Sequence, residues 1–150
     1  MFQQMLLLFT LVSSGLMAGV YFVFSSFMMK SLALLPDHTA VVCMNCINRV
    51  ILKSLFMPIF FASTLSSLML VFLTNDLYVR IAGLIYFFGM FACTAVKNVP
   101  LNNALRDAPK EQLAAMWTTY LTVWTRWNHI RTISCLFCFM LLLYRISTPI

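Results

Sequence analysis

The sequence predicts an all-α integral membrane protein, a four-helix bundle with a long fourth helix and a polar mouth on the cytoplasmic side. Three observations carry that prediction. Of the 150 residues, 62% are hydrophobic and 9% are charged, whereas soluble domains carry about a quarter charged residues. The apolar residues fall into four runs long enough to cross a hydrocarbon core of about 30 Å. The basic residues stand singly at the ends of those runs, as topology signals and headgroup contacts do. This scatter argues against nucleic acid as a partner despite a net charge of +6, because a nucleic-acid surface needs clustered cations. The length fits one domain, residues 1–150, with the lipid bilayer as its surroundings.

The first span is expected from about Met5 to Met29. No charged side chain occurs before Lys30, so the run reads as a retained span and not as a cleaved signal. Gly15 and Gly19, continued by Phe22 and Ser26, form a small-residue face that admits a close helix neighbour. Pro36 and Asp37 mark the next helix start. His38 to Lys53 is amphipathic and is expected to continue into a second span, Leu55 to Leu73. Pro58 is a candidate kink there, and Ser63, Ser66 and Ser67 make a small polar packing face. Thr74 to Asp76 is a turn, and the third span runs from Leu77 to about Val96. A long polar stretch follows, "KNVPLNNALRDAPKEQ". Helix resumes near Pro109, with Glu111 in its first turn where the helix dipole favours an acid. Nothing breaks the pattern from Lys110 to about Arg145.

The five cysteines are Cys43, Cys46, Cys93, Cys135 and Cys138. Two C-x-x-C pairs suggest zinc in a soluble chain, but Cys135 and Cys138 lie in an apolar helical run, where a thiol packs as a small hydrophobe. No metal site is expected, with a redox or metal role left open for Cys43 and Cys46, which lie nearer an aqueous face. Lys30, Arg49, Lys53, Lys97, Arg106, Lys110, Arg126 and Arg131 fall on one side of the bundle, and Arg80 and Arg145 on the other. Positive residues favour the cytoplasm, so both long connections are expected there and both termini outside.

Arg131 and Arg145 are separated by about 21 Å of helix, less than the thickness of the hydrocarbon core. Asn128, His129 and Arg131 should therefore lie at or below the cytoplasmic interface, where polar groups face a bundle interior or a wet cavity. At 100° per residue, Trp117, Tyr120, Trp124, Trp127, Asn128 and Arg131 share one face. Thr118, Thr122, Thr125, His129 and Thr132 share another. A Trp/Tyr belt with a snorkelling Arg explains the aromatics alone, but a belt requires neither Asn nor His. Asn98, Asn102 and Asn103 flank Pro100 in what reads either as a turn or as the lining of a polar pocket, with Asn48 opposite. Uncharged donors and acceptors of this kind suit a neutral aromatic or phenolic ligand better than a phosphate. His38 and His129 fall on the same side, yet two histidines without carboxylates are a weak metal set, and His38 lies in a loop. No cofactor is predicted, with haem and quinone left open.

"AGVYFVFSSFMMKSL", "MNCIN", "NVPLNNAL" and "WTRWNHIRT" occur in the order and spacing of the anthrone oxygenase-like family. The chain resembles these small four-helix membrane proteins over nearly its whole length, most specifically in the last two motifs. Many bacterial members form a domain of unknown function, and the expected location is a bacterial inner membrane. The resemblance points to Asn48, Asn98, Pro100, Asn102, Asn103, Trp124, Trp127, Asn128, His129 and Arg131. Lys30 departs from the pattern, which has a proline soon after the first span.

The resemblance implies oxidation of a hydrophobic phenolic, polyketide or quinone-type molecule, since fungal members are linked to conversion of anthrones to anthraquinones. An anthrone has an acidic C–H, and its enolate can pass an electron to dioxygen. In this scheme His129 is the base, Arg131, Asn98 and Asn102 hold the oxyanion, and Trp124 and Trp127 stack on the rings. His129→Ala is then expected to abolish turnover. The scheme fails if His129 and the aromatic face point to opposite sides of their helix. The competing class is a non-enzymatic accessory subunit that binds a lipid, a quinone or a partner helix, with a homo-oligomer as a further form. A transporter fits least, because the polarity lies on one side only.

Overall fold

The computed structural model describes residues 1–148, and they form five helices. These are α1 (Phe2–Leu32), α2 (Asp37–Ile51), α3 (Phe56–Leu73), α4 (Leu77–Arg106) and α5 (Lys110–Ser147). All but α2 are long and apolar enough to cross a membrane, and the chain is an integral membrane protein. α1 packs along α5 and α3, and α4 packs between α3 and α5, which closes a four-helix ring. α5 has 38 residues, roughly 57 Å of helix, so it overshoots the hydrocarbon core. Its N-terminal part, with the ends of α1 and α4, carries α2 as a cap over one end of the bundle.

Three boundaries differ from the expectation. α2 does not continue into the second span. Ser54 separates the two helices, because its hydroxyl donates to the Ile51 carbonyl (2.8 Å) and accepts the Phe56 N–H (3.2 Å). One short polar side chain thus satisfies the end of one helix and the start of the next. Pro58 makes no kink, since it sits in the first turn of α3, where a missing N–H forfeits no bond. The third span runs ten residues past Val96, to Arg106. Pro100 opens the final α-helical segment, Val99–Arg106, directly after a π-helical turn at Thr94–Asn98. The regular bonding pattern is already interrupted there, so the ring is tolerated.

The expected glycine face is used only in part. Gly15 faces the Phe139 ring of α5, but Gly19 has open space around it. The face of α1 that packs is made of Thr10, Ser13, Ser14, Met17, Ala18 and Tyr21. Ser63, Ser66 and Ser67 are buried as expected. Thr10 donates to Ser66 (2.9 Å) and Tyr86 to Ser63 (2.8 Å), so hydroxyls bind helices to one another where water is absent. The tightest backbone approach is at Gly83, where a Cβ would lie 2.7 Å from the Ser67 carbonyl oxygen. Cys93, Cys135 and Cys138 are buried free thiols, as packing predicts.

At the end away from α2, Asp76 caps α4 by accepting the Tyr78 and Val79 N–H groups and pairs with Arg145 of α5. Burial works to raise the Asp76 carboxyl, but Arg145 and the two N–H groups outweigh it and hold the group below its ordinary value. The pair therefore stabilises the fold above the unfolded-state carboxylate pKa, and that contribution is lost as pH falls through the lower folded-state value. Asp76→Asn keeps the cap, since Asn caps as well as Asp, and removes the ion pair. The variant is expected to melt below the wild type at neutral pH, with the two converging in acid. Thermal unfolding followed against pH checks this.

Candidate functional site

The cavity that matters lies where the four-helix ring meets the α2 cap. It encloses about 280 Å³. Most of its wall is hydrocarbon: Val20, Phe24, Met44, Ile47, Phe56, Phe60, Phe61 and Phe91 all line it. Into this wall project Tyr21, Asn48, Thr94, Asn102, Trp124 and Arg131. A second recess, of about 730 Å³, lies at the opposite end beside Gln3, Gln4, Asp76 and Arg145. It is larger but more open, and its two charges neutralise each other, so it offers a ligand less.

Arg131 dominates the smaller cavity. It is 5% exposed, and among the described residues no carboxylate pairs with it. Its guanidinium lies between two rings, 4.3 Å from the centre of Tyr21 and 5.0 Å from that of Trp124. Two π faces partly replace a counter-ion. Nη2 donates to Asn128 Oδ1 (2.7 Å) and Nη1 more weakly to Thr94 Oγ1 (3.4 Å). Nε has no partner.

Asn128 explains why the guanidinium holds this position. Its amide nitrogen donates to the Tyr21 carbonyl (2.8 Å) and to Ser25 Oγ (2.7 Å), and its oxygen takes the Arg131 bond. Each polar atom is used, and the residue is fully buried. Ser25 in turn bonds Thr132 (2.8 Å). Asn98 plays the same part for α4 and α5: its Nδ2 donates to the Trp124 carbonyl (3.3 Å). Both braced carbonyls border widened, π-helical turns, Phe24–Met28 in α1 and Tyr120–Trp124 in α5. Such turns expose backbone groups and recur at functional sites. Phe24, Phe91, Thr94, Ala95 and Trp124, which line the cavity, all belong to π-helical turns.

The residues singled out from the sequence divide into three groups. Asn48, Asn102, Trp124 and Arg131 line the cavity. Asn102 accepts the Tyr120 hydroxyl (2.7 Å). Asn98 and Asn128 lie behind the wall as braces. Asn103, Trp127 and His129 are elsewhere. Asn103 is exposed and accepts from Arg106 (3.1 Å). Trp127 is half-buried under Lys97 Nζ, 4.9 Å from its ring centre. His129 is exposed, outside the lining, and His38 is exposed on α2. The helical arithmetic that set His129 on a different face from the aromatics describes its position correctly, and the base and the aromatic slot do not meet.

Reasoning from the sequence missed Tyr21, Ser25 and Thr94. The signal is present in "VYFVFSS", where a phenol and hydroxyls interrupt a span, but small-residue spacing from Gly15 and Gly19 points to the neighbouring Phe22 and Ser26. One residue is a turn of 100°, enough to exchange a lipid-facing side chain for a buried one.

Four buried donor atoms around this cavity lack a hydrogen-bond partner: Tyr21 Oη, Asn48 Nδ2, Trp124 Nε1 and Arg131 Nε. Buried polar groups are nearly always paired; these four atoms sit within the cavity's wall without exposed surface of their own. Residues 44–141, more than half of the chain, match the family model described as anthrone oxygenase. The chain belongs to the anthrone oxygenase family. The match takes in Asn48, Asn98, Asn102, Asn128 and Arg131 and leaves out the first helix, which supplies Tyr21 and Ser25. No curated protein and no solved structure matches the chain.

Proposed function

We propose that this anthrone oxygenase family member binds a hydrophobic phenolic or anthrone-type molecule in the cavity, stabilises its oxyanion with Arg131, and so promotes its oxidation by dioxygen. The observation that carries this reading is a buried guanidinium with no carboxylate partner among the described residues, held against two aromatic rings in an apolar cavity wall. A buried cation is costly unless paired, and a bound enolate or phenolate would complete the pair.

For an anthrone, the steps balance as follows. The methylene carbon loses a proton, leaving an enolate held at its oxygen by Arg131. The enolate gives one electron to dioxygen, and the resulting carbon radical and superoxide combine to a peroxide at that carbon, which takes up a proton. Loss of the remaining C–H proton then breaks the O–O bond, leaving the second carbonyl and releasing water. No carboxylate or imidazole lines the cavity among the described residues. The protein's contribution to the first step is therefore to acidify the substrate by stabilising its conjugate base, with the proton passing to water. The excess of Lys and Arg at the α2 end orients that end to the cytoplasm.

Oxygen uptake by the purified protein with an anthrone tests the reading. Uptake above the protein-free rate, with one dioxygen consumed per quinone formed, is the expected result. Ligand binding without uptake would instead assign an accessory binding role. His129 lies outside the cavity, so His129→Ala is expected to retain near-wild-type uptake. Loss of uptake in that variant would restore it as the base.

A further inference from the structure

The cavity has a polar floor and an apolar, exposed rim where the bundle meets the α2 cap. The floor is Arg131, Tyr21 and Trp124, all at most 5% exposed. The rim is Leu52, Phe61 and Val99, which are 63%, 55% and 42% exposed while also lining the cavity. Leu52 comes from the break that Ser54 makes between α2 and α3, Phe61 from within the span α3, and Val99 from α4. Phe61 lies in an apolar membrane span, so its outer surface meets acyl chains. Lys53 and Lys97, next to the rim in sequence, reach headgroups from this level.

This arrangement selects for a shape as well as for a charge. A space of about 280 Å³ is at the lower limit of small-molecule pockets. It takes a compact ring head and has no room for a long chain. A chain attached to that head can leave only through the rim, and there it enters lipid. Moving an aliphatic chain from bilayer to this rim loses nothing, because acyl chains and apolar side chains are equally apolar. We infer that the ligand is a tailed phenol or quinol, its ring oxygen on Arg131 and its aliphatic or isoprenoid tail running out between Leu52, Phe61 and Val99 into the bilayer. The inference rests on the reading of the floor as an oxyanion site, and adds that the substrate is a membrane amphiphile that arrives sideways from lipid.

The test compares naphthol with naphthol carrying a decyl chain para to its hydroxyl, each competing against radiolabelled naphthol on the protein in phosphatidylcholine vesicles. Concentrations are counted within the membrane phase. The wild type is expected to bind the two within about threefold of each other. Leu52→Trp and Val99→Trp narrow the mouth at exposed positions, where folding is little affected. They are expected to weaken the tailed compound at least about tenfold relative to the plain one. A wild type that itself rejects the tailed compound by that factor overturns the inference. So do mouth variants that treat the two compounds alike. Arg131→Gln separates this failure from failure of the underlying reading: if naphthol binding is insensitive to it, the floor is not an oxyanion site and both proposals fall.

Discussion

Arg131→Gln is expected to lower anthrone-dependent oxygen uptake by about a hundredfold or more, the usual loss when a preorganised donor to a developing oxyanion is removed. Glutamine keeps a polar end but neither the charge nor the planar fork that lies between Tyr21 and Trp124. Arg131→Lys is expected to recover only part of the rate, because an ammonium is a point charge that stacks poorly on rings. Stability should respond differently. The wild-type protein carries a buried cation with no acid opposite it, and such a charge is penalised by several kcal/mol in effect. Losing the bond to Asn128 is offset by relief of that penalty, so Arg131→Gln should melt close to the wild type. A folded, inactive variant places Arg131 in function; a variant that unfolds places it in structure.

Asn128→Leu is expected to do the reverse, lowering stability by about 2–4 kcal/mol, from about 1–3 kcal/mol for the one buried donor left unpaired and about 0.5–1.5 kcal/mol for each further bond lost. The substitution strands Arg131 Nη2 and takes one bond each from the Tyr21 carbonyl and Ser25 Oγ, which keep their bonds to the Phe24 N–H and to Thr132. It also removes the tie between α1 and α5 at the level of the cavity. Uptake should fall as well, because the guanidinium loses its strongest positioning contact. Thermal unfolding in detergent checks the first effect and oxygen uptake below the melting range the second. A variant as stable as the wild type would contradict the bracing role.

The two residues also show how far the sequence could be read. Four spans, the helix starts at Pro36 and Pro109, and the long last helix follow from hydropathy and breakers alone, and the structure has them. The face carrying Trp117, Tyr120, Trp124, Trp127, Asn128 and Arg131 follows from helical periodicity; all but Trp127 are buried, and Trp127 is half-buried. The role of each amide did not follow. Asn98 and Asn128 have the composition of ligand contacts, yet they bond carbonyls at π-helical turns, and no sequence pattern announces a widened turn. The break at Ser54 was likewise hidden, since Ser is neutral to helix continuation until its hydroxyl is seen to serve both ends. Tyr21 gives no signal of its own, because a phenol inside an apolar span reads as packing unless a guanidinium lies against it.

The central claim is that the buried guanidinium favours a bound oxyanion. An apolar cavity alone raises the pKa of a bound phenol, because burial disfavours the charged form, whereas a nearby cation lowers it. The two effects have opposite sign, so one titration decides between them. The phenolate absorption band of naphthol, followed against pH with and without saturating protein, gives the shift directly. A bound-state pKa lowered by about one unit or more, equivalent to about 1.4 kcal/mol, and restored in Arg131→Gln is the expected result. A bound-state pKa that is unchanged or raised would contradict it.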